Sequence, residues 1–354
     1  MPFKIGKIDL EQPFALAPMA GMTDTAFRRL VKRRGGCGLV VSEMVSSEGL
    51  VRGIDRTLEY AEYTEEERPV SIQIFGGDPE KMARAAQIVE GMGADIVDVN
   101  MGCPVPKIAK HNAGCSLMRE PEHAQEVVSA MTKAVTIPVT VKMRAGWNEQ
   151  EINAPELARR MEDAGAAALA VHGRTAAQSY TGVSDWDLIN RVARAVSIPV
   201  FGSGDCIEPS QLVDKLRGGS VAGILVGRGA LRNPWIFEQA AALGRGEHPR
   251  DITMAERGQF LLDYIELLLQ ERTREAEGFR HVAPGHAPEP VGPVRGHHKW
   301  VINKLRALNS WYTKGLENGS HLRTSINAAE SIAQLRDIVA EFFSVERAAD
   351  CAPR

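Results

Sequence analysis

The stretch SIQIFGGDPEKMARAAQIVEGMGADIVDVNMGCP, residues 71–104, carries the architecture in miniature. It opens on an apolar run, 71–76, and closes on a second, 96–101. Both are too short for isolated helices and apolar on successive residues, as in strands buried on both faces. Between them, 79–92 has apolar residues at helical spacing and opens with Pro79, which suits a first helical turn. A strand, a helix and a second strand in this order imply parallel pairing through a right-handed crossover.

The unit recurs outward in both directions. Further short apolar runs lie at 14–19, 39–44, 139–143, 168–173, 199–204 and 223–228, and helix patterns at 23–34, 121–134, 155–164 and 209–216. Eight strand–helix units predict an α/β fold of the (β/α)8 TIM-barrel type. A doubly wound sheet is the rival reading, but it has fewer units, and no G-x-G-x-x-G follows the first run. After residue 243 the alternation stops. Helical patterns at 252–275, 299–313 and 327–343 surround a Pro/Gly/His-rich loop at 282–296. The expected domains are a barrel over 1–243 and a smaller C-terminal α-helical domain over 244–354.

Of the 354 residues, 44% are hydrophobic and 25% charged, an ordinary globular composition, and the net charge is -3. A nucleic-acid surface would therefore be a local patch. No apolar run reaches the roughly 18 residues of a membrane span, and the first ten residues lack a secretion signal, so no membrane association and a cytoplasmic location are expected. The five cysteines, Cys37, Cys103, Cys115, Cys206 and Cys351, include no pair at zinc-ligand spacing and suggest no disulfide framework. No metal site is expected, and a monomer is.

In such a barrel the chemistry sits at the carboxyl ends of the strands. Those ends carry Gln73, Asn100, Cys103, Lys142, Arg144 and His172. Each alone could be a satisfied core polar group; their convergence on one rim points to a site. The glycine turns after strands seven and eight, with Gly204, Gly227 and Arg228, suit a cofactor phosphate. Lys142 suits the electron-rich ring of a flavin, and Gln73 can both donate and accept along its pyrimidine edge. Cys103, in a Gly-Cys-Pro turn, could be a nucleophile, an acid or a buried bystander. A nucleophile wants an adjacent base, and none is near in sequence; a thiol can instead deliver a proton.

These residues lie in stretches that resemble the bacterial tRNA-dihydrouridine synthase family: APMAGMTDTAFR (17–28), SIQIFGGDP (71–79), DIVDVNMGCPVPKI (95–108), GCSLM (114–118), VTVKMRAGW (139–147), VHGRTAAQSYTG (171–182) and GILVGRGALRNPWIF (223–237). The resemblance implies FMN as cofactor, NADPH as reductant and uridine in tRNA as substrate. By motif match it places Pro18, Met19 and Ala20 against the flavin, and Gln73, Lys142 and His172 on its ring or phosphate tail. It places Ser203, Gly204, Asp205, Gly227 and Arg228 on the ribityl phosphate. Asn100 and Arg144 would meet the substrate. Hydride would pass from FMN to C6 of uracil and a proton from Cys103 to C5. Position 203 is Ser where related sequences often carry Asn.

The RNA grip is assigned to the helical domain. No acidic residue stands between Glu289 and Glu317, while Lys299, Lys304 and Arg306 are basic and Trp300 and Trp311 interleave. Two other functions fit parts of the pattern: a flavin barrel acting on a small dihydropyrimidine or dihydroorotate-type substrate, and a catalytically silent RNA-binding protein.

Overall fold

The computed structural model describes residues 3–109, 112–271, 276, 278–285 and 296–345. Eight parallel strands form a closed barrel: β1 Phe14–Leu16, β2 Leu39–Val41, β3 Val70–Phe75, β4 Ile96–Met101, β5 Val139–Arg144, β6 Ala168–His172, β7 Val200–Ser203 and β8 Gly223–Val226. Neighbours pair in chain order. β8 joins β1 through Ile224 opposite Phe14, and β2 joins β3 through Val40 opposite Val70. The eight runs read from the sequence are these eight strands, and the TIM barrel stands.

The barrel interior is filled by Ala15, Leu39, Val41, Ile96, Ala168, Phe201 and Leu225. A hairpin at the chain start, Phe3–Ile5 against Ile8–Leu10, adds Ile5 and Leu10 to this cluster and closes the N-terminal end. Sequence periodicity missed it because each arm has three residues.

The outer helices are α1 Thr25–Arg34, α2 Pro79–Gly91, α3 Pro121–Ala134, α4 Ala154–Asp163, α5 Trp186–Ala195, α6 Pro209–Gly218 and α7 Ile236–Gly244. Proline stands in the first turn of α2, α3, α4 and α6, where its missing N–H has no helical partner to lose. Two short helices, Ser47–Val51 and Asp55–Ala61, replace a single helix between β2 and β3.

Beyond the barrel lie α8 Met254–Gln270, α9 His297–Tyr312, α10 Gly319–Ala328 and α11 Ile332–Phe343. The single helix expected at 327–343 is two. The chain turns at Ala329, and Ser331 starts α11 by accepting a hydrogen bond from the Gln334 N–H. Gly258 in α8 lets α11 approach: a Cβ there would stand 2.4 Å from the Phe343 Cβ. These helices meet the barrel through aromatic rings, with Phe260 packed 6.1 Å from Phe27, 5.5 Å from Trp235 and 5.6 Å from Tyr312, centroid to centroid. The pair Arg280–His281 also adds a strand to Tyr63–Thr64 on the barrel side. The loop expected at 282–296 falls mostly outside the described residues. No helix among the described residues is long and apolar enough to cross a membrane.

Candidate active site at the barrel mouth

Parallel register brings the central polar residues together. Gln73 on β3 lies opposite Asp98 on β4, and Asn100 on β4 lies opposite Lys142 on β5. Their side chains form a relay. The Gln73 amide donates to Asp98 at 2.6 Å, and Thr140 donates to the other Asp98 oxygen at 2.6 Å. Asn100 donates to Gln73 Oε1 at 2.8 Å, and its own Oδ1 accepts from the Gly102 N–H at 3.1 Å and the Cys103 N–H at 2.9 Å. Burial pushes the Asp98 carboxyl up, opposed by these donors and by nearby Lys142. The relay thus runs from a buried carboxylate to the turn that carries Cys103.

Lys142 has no hydrogen-bond acceptor among the described residues. Burial, reinforced by Arg144, lowers its ammonium to about 8, against a smaller upward pull from Asp98 and Cys103. A cavity of about 30 Å³ lies in the barrel beside Lys142, Asp98 and Thr140. That holds little more than a water, so any ligand larger than this must sit at the mouth above.

His172 ends β6, in register with Arg144 on β5 and Ser203 on β7. Its Nε2 is buried and unpartnered. Burial first, then Lys142, Arg144, Arg174 and Arg228, drive it down to about 2, so the ring is neutral at every ordinary pH. A neutral imidazole amid four cations can still donate a hydrogen bond to an anion. Gly204 lies against it: at φ +133, a Cβ there would meet Ser184 Oγ at 2.2 Å and His172 Cε1 at 3.3 Å.

Gly227 precedes the short helix Arg228–Arg232, whose first N–H groups open at the β8 end. A Cβ on Gly227 would stand 3.3 Å from Met19 Sδ, so the loop after β1 and the turn after β8 are adjacent. Pro18 and Met19 are half-buried there and Ala20 is exposed. Ser203 is buried, and its carbonyl accepts from Ser184 Oγ at 3.2 Å. The Asp205 carboxylate accepts from Arg174 at 2.9 Å and from the Ser184 N–H at 2.7 Å, with Arg228 at 3.8 Å. It organises cations at the mouth.

The residues assigned to RNA separate. Arg144 is buried at the mouth, donating to the carbonyls of Gly102, Thr175 and Ser179. Lys299 is exposed on α9. Arg306 donates to Asn303 and to the Ala329 carbonyl. Lys304 points into the barrel junction, bonded to Asp24 at 3.0 Å, Glu43 at 3.4 Å and the Gly21 carbonyl at 3.0 Å. Tyr264 donates to the same Asp24 at 2.8 Å. Sequence reading missed Asp24 and Asp98. Only Asp98 left a signal, since it stands two residues before Asn100 and so on the same strand face. Among the described residues, no group of acidic, histidine and cysteine side chains could hold a metal.

A family model described as "Dihydrouridine synthase (Dus)" matches residues 15–340. The chain is 36% identical over 344 residues to a probable tRNA-dihydrouridine synthase of Rickettsia conorii, covering 96% of each. It is 38% identical over 348 residues to tRNA-dihydrouridine synthase B of Pseudomonas putida, covering 97% of this chain and 95% of that one. A probable tRNA-dihydrouridine synthase of Rhodobacter capsulatus is 43% identical over 272 residues, 76% of this chain and 83% of that one. Among solved structures, morphinone reductase matches with a TM-score of 0.51 at 13% identity over 71% of this chain and 90% of that one. Histamine dehydrogenase from Rhizobium matches with 0.53 at 14% over 75% of this chain and 50% of that one. At these identities the solved structures speak only for the barrel fold.

Proposed function

The chain belongs to the dihydrouridine synthase family, and on that premise we propose that it reduces the C5–C6 double bond of uridine in tRNA, holding FMN at the barrel mouth and drawing electrons from NADPH. It is an oxidoreductase. The observation that carries the reading is the pair of unsatisfied groups at the mouth: a Lys142 ammonium without an acceptor among the described residues, and a buried His172 Nε2 without a partner.

The residues fit a flavin mononucleotide. Lys142 offers the cation that an anionic reduced ring requires. Gln73, held by Asp98 and Asn100, keeps one amide hydrogen for a ring carbonyl. His172, Gly204 and the Gly227–Arg228 turn supply donors and room for a phosphate tail, and Arg174 and Arg228 add charge, ordered by Asp205. Pro18, Met19 and Ala20 flank the same opening. When bound, FMN supplies the hydride for C6 of uracil.

The protein's own part is to place and protonate. Asn100 spends both ends of its amide on Gln73 and on the Gly102–Cys103 turn, so it fixes where the Cys103 thiol stands. Cys103 delivers the proton to C5. Arg144, tied to three carbonyls, holds a permanent charge at the mouth for the RNA backbone. The target base must leave its stack to enter. The helical domain, with Lys299 exposed on α9, grips the rest of the tRNA, and the enzyme works in the cytoplasm as a monomer.

The direct test incubates the purified protein with NADPH and tRNA lacking dihydrouridine. Dihydrouridine formation in tRNA, a flavin identified as FMN on release, and no turnover of free uracil or orotate are expected. Reduction of the free bases without RNA would instead favour the small-molecule reading.

A further inference from the structure

Five side chains from separate parts of the chain form an alternating row across the mouth. The Arg144 guanidinium lies 5.9 Å from the centre of the Tyr180 ring, and the Arg228 guanidinium 5.0 Å from that ring. Arg228 also lies 5.8 Å from the centre of Trp311 on α9, and the Lys314 ammonium lies 3.7 Å over Trp311. Cation, ring, cation, ring, cation therefore run from β5 over the β6 and β8 loops to the helical domain.

The row is built on fixed supports. Arg144 donates to three carbonyls, one of them Ser179, next to Tyr180. The loop that carries Tyr180 is pinned from both sides: Thr175 and Gln178 exchange hydrogen bonds, and Arg174 donates to the carbonyls of Thr181 and Gly182. Yet the Tyr180 ring is left 62% exposed. A large aromatic held out of the core on an anchored loop contributes little to folding through burial. Its place is suited to a partner.

We propose that this row is a track for unpaired RNA: Tyr180 stacks a base next to the reduced uridine, Trp311 a second, and Arg228 between the rings, with Lys314 beyond Trp311, meets the connecting phosphates. Alternating rings and cations are what a single strand with unstacked bases requires, and every base has a face to offer. The proposal deepens the tRNA reading and rests on it. It differs from the assignment to Lys299, Lys304 and Arg306, because Lys304 is consumed within the molecule.

The test measures tRNA binding directly by fluorescence anisotropy across a salt series, separately from reduction. Tyr180→Ala is expected to weaken binding about ten-fold with the salt slope unchanged, and Tyr180→Phe to bind as wild type. Lys314→Ala is expected to lower the slope by about one. A short single-stranded oligouridine should compete better than duplex RNA of the same length. Because Tyr180 is exposed, the variants should unfold at the wild-type temperature. Binding by Tyr180→Ala within two-fold of wild type, or better competition by the duplex, overturns the track. Loss of tRNA binding in Tyr180→Ala together with no dihydrouridine formed by the wild-type protein would keep the track and sink the functional reading.

Discussion

Lys142 holds an ammonium within barrel strand β5. A lysine within a barrel strand announces itself, because burial of an ammonium needs a reason. The structure adds that its reason is not supplied by the chain among the described residues. This has a pH consequence. In the free protein the ammonium sits at about 8, below its ordinary 10.5. A bound anion favours the charged form and raises that value. Binding above pH 8 must therefore take up a proton, so affinity for anionic reduced FMN should fall as pH rises through 8. The same shift makes the free protein gain stability between pH 8 and 10.5, where the unfolded chain still holds the proton that the folded one has lost. A pH titration of flavin binding checks this: Lys142→Met should bind more weakly and lose the dependence, and a flat wild-type profile would refute the assignment. Gln73 and Asn100 were legible for the same reason, as polar groups on apolar strands, and Cys103 from the Gly-Cys-Pro turn just past β4. Asp98 was legible in principle, but Lys304 was not. Its partners Asp24 and Glu43 lie more than two hundred positions earlier in the chain, and no local pattern encodes them.

Elements carry a different kind of information. Helix α9 looked like a basic binding face, but the structure turns one of its lysines inward as an ionic tie to the barrel. Lys304, Asp24 and Glu43 are all largely buried there, with side-chain exposures of 13%, 10% and 8%. Surrounding carboxylates raise the Lys304 ammonium well above its usual range, outweighing burial. Removing it leaves two carboxylates together. Lys304→Met should therefore cost about 3–5 kcal/mol in a urea unfolding experiment, the range for breaking a buried pair. A loss below about 1 kcal/mol would mean the tie is solvent-screened. Gly258→Ala is a second test of element packing. The added methyl would favour the α8 helix by about 1 kcal/mol on propensity alone, yet it lands on Phe343. Net destabilisation of about 1–3 kcal/mol is expected from overcrowding. A stabilised variant would show that α8 and α11 can separate. The boundaries that sequence misplaced, such as the break before α11, hang on one side-chain cap rather than on periodicity.

At the scale of the whole molecule, the barrel was legible because eight repeats of one buried pattern leave few topologies open. What repetition cannot show is which surface faces a partner. Five of the ten large hydrophobic side chains exposed among the described residues, Val105, Ile152, Tyr180, Val183 and Ile207, lie on loops that leave the carboxyl ends of strands. The apolar and cationic surfaces therefore meet at the mouth, while the net charge of the chain is -3. Association with tRNA should accordingly depend on few charges. Lys299→Ala is expected to lower the salt slope of binding by about one, and an unchanged slope would remove α9's outer face from the footprint. The central claim, that one mouth both holds the flavin and protonates the base through Cys103, is tested most directly by following flavin absorbance in Cys103→Ala during a single turnover. The account expects NADPH to reduce the flavin at the wild-type rate, and tRNA then to reoxidise it about 10²–10⁴-fold more slowly, the scale of a lost general acid. Reoxidation by tRNA at the wild-type rate would contradict it.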